Sequence, residues 1–225
     1  MKITFIGHAC FLIEHDNKTF VFDPFFVDEK KTLAAYPQIK NPDFILASHG
    51  HDDHIGSVFT IVGKNTTVVG MVELCSFLAG RGVEKTIGMN FGGTVALTKD
   101  VSVTIVRADH SSSFDGIYTG EPAGFIVRFG DETVYFSGDT GIFGDMKLLA
   151  ELYKPTIGLI CAGGRFTADK EAVLYACNNF FSFDYVIPMH YDTFPPIRTD
   201  MSDFSSRLMR GKAVLLKPFE TFSVS

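Results

Sequence analysis

A four-residue apolar run, Phe44-Ile45-Leu46-Ala47, leads without a break into Ser48-His49-Gly50-His51-Asp52-Asp53-His54. The first part has the composition of a buried strand. The second places three imidazoles and a usable carboxylate directly at that strand's end. Open α/β sheets put their working groups there, just past the carboxyl ends of strands, so the chain must supply further strands to flank this one. In an extended or turning segment residues two apart point the same way, so His49 and His51 can hold one cation. Asp53 and His54, opening the next helix, can face a second cation beside it.

The rest of the chain supplies those strands. Phe11–Ile13 and Thr19–Phe22 flank the polar stretch 14–18 as a hairpin whose second arm ends at Asp23-Pro24. Phe125–Phe129 and Thr133–Phe136 flank Gly130-Asp131-Glu132 in the same way, and that arm ends at Ser137-Gly138-Asp139. Two hairpins of like pattern, each delivering an Asp, suggest two related halves, roughly 1–115 and 116–225, within one domain spanning 1–225. Further buried strands are expected at Phe44–Ala47, Thr67–Val69, Val101–Arg107, Ile157–Ala162, Tyr185–Pro188 and Val214–Leu216. Helices are expected at Asp53–Val62, Val72–Ala79, Asp145–Tyr153, Asp169–Phe180 and Ser202–Arg210. Pro24–Pro42 shows no period and is expected to be a loop at the mouth of a site.

Composition narrows the function classes. With 225 residues and 46% hydrophobic content the chain can bury a sizeable core. Lys plus Arg number 20 against 26 Asp plus Glu, a net charge of −6. That balance argues against a binder that works by neutralising many phosphates, so nucleic acid is not an expected partner. No apolar run approaches the span of a bilayer, and no secretory pattern opens the chain, so a cytoplasmic protein is expected. Four cysteines without a Cys-x-x-Cys pair suggest buried free thiols rather than a metal knuckle or a redox pair. The 23 Phe leave a homo-oligomer open.

Other ligand-type residues sit where the same logic wants them. His110 follows Val101–Arg107, His190 follows Tyr185–Met189, and Asp139 follows the second hairpin. The order His49-x-His51-x-Asp53-His54, His110, Asp139, His190 resembles the metallo-β-lactamase superfamily. Gly7-His8-Ala9, Asp23-Pro24-Phe25, Met89–Gly93, His110–Ser113, Pro122–Phe125, Gly138–Met146 and Pro188–Tyr191 are similar, more narrowly, to a small family of metal-dependent hydrolases related to bacterial ascorbate-phosphate lactonase.

The resemblance implies an α/β fold, a four-layer αββα sandwich with the site at one edge of the sheets. It also implies that His49, His51 and His110 hold one metal and that Asp53, His54 and His190 hold another, with Asp139 bridging. Zn²⁺ suits such mixed imidazole and carboxylate ligation, and Mn²⁺, Fe²⁺, Co²⁺ or Ni²⁺ fit the same shells. Two such ions activate hydroxide for attack on a small ester, lactone or phosphoester. Asp53 would orient that hydroxide. Asp23 is placed to accept a hydrogen bond from a ligand imidazole. His8 either hydrogen-bonds substrate or assists the leaving group, or else caps the first strand. Arg165, after Gly163-Gly164, could receive an anionic group of a small-molecule substrate, with Asn90 and Tyr191 beside it. Ala168 stands where the family is expected to have Met, and Cys10 where a small residue is common. Three alternatives stay open: a phosphodiesterase or nuclease of the same superfamily, a di-iron redox protein, and a non-catalytic metal-binding regulator.

Overall fold

In the computed structural model, which describes residues 1–224, the chain forms two compact units that interleave in sequence. The first comprises Met1–Asn90, Ser111–Pro122 and the segment from Leu216; the second comprises Phe91–His110 and Ala123–Leu215. Each is built on one seven-stranded sheet.

In the first unit the strand order is Thr221–Ser223, Lys2–Gly7, Cys10–His15, Lys18–Phe22, Phe44–Leu46, Thr67–Met71 and Thr86–Met89. Pairing is antiparallel as far as Lys18–Phe22 and parallel from there on. The expected hairpin is longer and tighter than its composition suggested. Its arms run to His15 and from Lys18, with Phe11 opposite Phe22 and Ile13 opposite Phe20. Only Asp16 and Asn17 turn, both at positive φ (47° and 58°), as a type I′ turn requires.

The second unit shows the same change of pairing when its sheet is read from the opposite edge. Its strands run Lys212–Ala213, Tyr185–Met189, Ile157–Cys161, Glu132–Phe136, Ala123–Phe129, Val101–Arg107 and Thr94–Ala96. Here too the hairpin arm that ends near an Asp, Glu132–Phe136, is where antiparallel pairing gives way to parallel. Ile157–Cys161 is buried throughout, as a parallel strand covered on both faces must be. The helices Met146–Tyr153, Lys170–Asn179 and Phe204–Arg207 cover one face, with Ile126, Tyr135, Ile160, Val173, Phe181 and Phe204 in a single apolar cluster.

Several helices differ from expectation for local reasons. The stretch expected as one helix, 53–62, is two short ones, Asp52–Ile55 and Val58–Ile61. Between them Ser57 leaves the helical ladder: its N–H donates to Pro24 O, and its Oγ accepts from Phe26 N. Pro24–Pro42 is not a bare loop. Asp28 caps the helix Glu29–Ala35 by accepting from Lys31 N at 3.0 Å. The last helix shrinks to Phe204–Arg207 because Met209 N turns aside to Asn178 Oδ1. The strand expected at Val214–Leu216 falls earlier, at Lys212–Ala213. Among the described residues no helix is long and apolar enough to cross a membrane.

One buried group is out of keeping with its surroundings. Tyr135 is fully buried, stacked on Phe181 with centroids 5.3 Å apart, and its hydroxyl has no hydrogen-bond partner among the described residues. An unsatisfied buried hydroxyl costs about 1–3 kcal/mol. Tyr135→Phe is therefore expected to keep or raise stability by about 1 kcal/mol, seen as a higher urea midpoint at unchanged m. A marked loss of stability would show that the hydroxyl is in use.

Candidate metal centre

Parallel pairing of Lys18–Phe22 with Phe44–Leu46 sets two strand ends side by side in the first unit, with Phe22 opposite Leu46. Asp23 N donates to Leu46 O, and the carboxylate then reaches across to the neighbouring strand's continuation. Asp23 Oδ1 accepts from Ser48 N at 2.7 Å. Its Oδ2 accepts from Ser48 Oγ at 2.5 Å and lies 2.7 Å from His54 Nδ1. Asp23, Ser48 and His54 are fully buried.

Ser48 Oγ is also 2.9 Å from His49 Nδ1, and His49 Nε2 is 3.0 Å from His51 Nδ1. His51 is extended (φ −67°, ψ 147°) and ends the loop; Asp53 and His54 lie in the helical turn that follows. That change of backbone separates the two donor pairs, yet the His49 and His54 rings stay 4.1 Å apart, so the two sets adjoin. His8 joins the second set. Its Nε2 is 3.2 Å from Asp53 Oδ2, and ligand atoms of His8, Asp53 and His54 all lie within 4.8 Å of one another.

Gly50, between the two histidines, is required by space. A Cβ there would lie 2.0 Å from Thr119 Oγ1. Gly50 N donates to Ser112 Oγ, which pairs with Thr119 Oγ1 at 2.8 Å, so the 111–122 segment backs the histidine loop. Ser48, Ser112 and Thr119 were not singled out by sequence reasoning. Ser111-Ser112-Ser113 was visible only as the run after His110, and nothing local tells that Thr119 folds back onto Gly50.

The second unit assembles its own donors. Asp139 Oδ2 is 3.0 Å from His190 Nε2 and 3.5 Å from His110 Nε2, so one carboxylate oxygen lies within ion-pair distance of both rings. The loops that carry them are pinned to each other. Asp109 N donates to Thr140 Oγ1, Gly141 N to Asp109 O, and Cys161 N to Ser137 Oγ. Gly163 leaves room for the backbone of His190; a Cβ at Gly163 would lie 2.2 Å from His190 O. His8, Asp23 and His190 all take positive φ (57°, 39° and 58°), a conformation that costs a non-glycine residue about 1–2 kcal/mol and clusters at functional sites.

The residues expected to meet substrate are placed less tightly. Arg165 is exposed, with its guanidinium 5.5 Å from the Phe166 ring. Asn90 is exposed at the end of the first unit's opening segment. Tyr191 is half-buried against the second unit's apolar cluster, and that burial, with Asp192 next to it, raises its phenol above the usual range. Ala168 is buried in the same cluster, behind the Asp139 loop, and its N–H donates to Thr140 O.

The donors suit a divalent cation. In a tetrahedral site with Zn–N bonds of 2.0–2.1 Å, ligand nitrogens sit about 3.3 Å apart. His49 Nε2 and His51 Nδ1, at 3.0 Å, are within a few tenths of that spacing. Residues 2–190 match the β-lactamase superfamily domain. The chain belongs to the metallo-β-lactamase superfamily.

Relatives extend that membership over the full length. A UPF0173 metal-dependent hydrolase of Methanosarcina mazei is 39% identical over 236 residues, covering 100% of this chain and 99% of the relative. One from Carboxydothermus hydrogenoformans is 42% identical over 92% of each chain. Among solved structures, Igni18, a metallo hydrolase from the archaeon Ignicoccus hospitalis, is 32% identical and superposes with a TM-score of 0.89 over 100% of this chain and 99% of its own. The metallo-β-lactamase fold expected from the motifs is thus the fold the chain has.

Proposed function

We propose that the chain is a metal-dependent hydrolase that uses two divalent cations to cleave a small ester, lactone or phosphoester. The observation that carries this reading is the pair of adjoining donor sets at the strand ends: His49 with His51, and Asp53 with His54. The superfamily membership and the names of the relatives support it. In this reading His49, His51 and His110 would hold one cation and Asp53, His54 and His190 the other, with the Asp139 carboxylate available to both. Zinc suits this mixture of imidazole and carboxylate, and manganese, iron, cobalt or nickel suit it nearly as well.

When bound, such ions lower the pKa of water from about 15.7 toward neutrality and polarise the oxygen under attack. The chain's own groups do the rest. Asp23 holds the His54 ring through Nδ1, leaving Nε2 as the donor atom. Asp53 orients the attacking group, and His8, whose Nε2 sits 3.2 Å from Asp53 Oδ2, is the group that relays a proton toward the leaving oxygen. Arg165 receives an anionic part of the substrate. A polynucleotide substrate fits poorly with a net charge of −6.

The test is metal analysis followed by a panel of lactones, thioesters, phosphodiesters and β-lactams. About two equivalents of metal and turnover of at least one ester class are expected. Absence of metal binding, or a metal-replete protein inert toward the whole panel, overturns the reading.

A further inference from the structure

We propose that Ser48 is a positioning residue whose single hydroxyl sets the tautomer of His49 and ties it, through Asp23, to the ring of His54. The inference rests on the two-cation reading above, because it concerns how two of the proposed ligands are presented.

The hydrogens available at this junction fix the direction of each contact. A serine hydroxyl carries one. Ser48 Oγ donates it to Asp23 Oδ2 at 2.5 Å, and the same carboxylate takes Ser48 N on its other oxygen. With its hydrogen committed, Ser48 Oγ can only accept at its 2.9 Å contact with His49 Nδ1. The proton of a neutral His49 is therefore held on Nδ1, and Nε2 keeps its lone pair. His54 reaches the same state by a shorter route, because its Nδ1 points at Asp23 Oδ2 directly. One carboxylate thus fixes two rings, His54 by contact and His49 through the Ser48 hydroxyl. Asp23, Ser48 and His54 are fully buried and His49 nearly so, which leaves bulk water no access to replace a lost partner.

The relay is asymmetric, and this gives it a test. Ser48→Ala removes the acceptor of His49 Nδ1–H but leaves the Asp23–His54 contact in place. Loss of such an orienting partner costs about 10- to 100-fold in metal affinity. Zinc titration of the full-length metal-free protein against a chromophoric chelator is expected to show one equivalent weakened by about that factor in Ser48→Ala and the other retained. Ser48→Thr, which keeps the hydroxyl, is expected to restore both. Imidazole nitrogen chemical shifts in the metal-free protein give a readout independent of loading. His49 is expected to be protonated on Nδ1 in the native protein and in Ser48→Thr, and to become a mixture of tautomers in Ser48→Ala, while His54 does not change. Thermal melting of the metal-free variants checks that each is folded.

If the native protein takes up no zinc, the two-cation reading fails, and the imidazole shifts still decide whether Ser48 sets the tautomer. If Ser48→Ala binds both equivalents with native affinity and His49 keeps its proton on Nδ1, the role assigned to Ser48 is overturned.

Discussion

Substituting Asp139 by Asn is expected to abolish hydrolysis, by about 1,000-fold or more, while leaving the metal-free fold at least as stable as before. The first half follows from the single oxygen, Oδ2, that stands 3.0 Å from His190 Nε2 and 3.5 Å from His110 Nε2. In the two-cation reading proposed above, an amide there would have no negative charge to offset the ions and would offer N–H groups where a lone pair is needed. Losing a bound Lewis acid removes several kcal/mol of transition-state stabilisation, and about 4 kcal/mol is a factor of about 1,000. The second half follows from burial. Asp139 is nearly inaccessible to solvent, and an amide of the same shape is easier to bury than a carboxylate. Metal content, turnover of whichever ester the native protein cleaves, and the urea midpoint of the metal-free protein separate the two. Native turnover in the amide variant would show that Asp139 does not bridge.

A large effect is also expected from pH alone. All four cysteines are free and buried. Desolvation pushes the thiols of Cys75, Cys161 and Cys177 up to about 12 from an ordinary value of 9.0, and raises Cys10 as well. A thiol that stays protonated in the folded chain but ionises in the unfolded one contributes fully below pH 9. Its contribution is lost as pH rises from 9 toward the folded value, because the unfolded state then binds fewer protons. At pH 10 the loss is roughly 1.4 kcal/mol for each thiol, and for the four together it is a large part of the 5–15 kcal/mol that typically holds a domain folded. The melting temperature is expected to fall steeply as pH rises from 9 toward 11. Cys177→Ala should make that fall shallower. A melting temperature independent of pH over this interval would refute the account.

Much of the fold was legible because its elements are local. Phe11–Ile13 and Thr19–Phe22 announce their hairpin by alternation and by the polar residues between them, and His49 to His54 mark a candidate site by following a buried strand. What was hidden depends on distant partners. The break in the helix at 56–57 is made by Ser57 meeting Pro24 and Phe26, residues thirty positions away. The short final helix is cut by Asn178, far from it in sequence. The helix Glu29–Ala35 is hard to see in the sequence because it carries little apolar periodicity: of its seven residues only Thr32 is buried, and Asp28 and the first turn do the specifying. At the candidate metal centre the ligand-type residues stand out by their chemistry alone. Ser48, Ser112 and Thr119 are ordinary hydroxyl residues, and only the pairing of strand ends and the return of the 111–122 segment give them work.

The left-handed backbone at His8, Asp23 and His190 has an evolutionary corollary. Glycine would adopt those angles without the side-chain clash, but at Asp23 that relief of about 1–2 kcal/mol is smaller than the cost of stranding Ser48 N, Ser48 Oγ and His54 Nδ1, which share its carboxylate. A screen that rewards heat resistance and ignores turnover should therefore leave Asp23 in place, strained backbone and all.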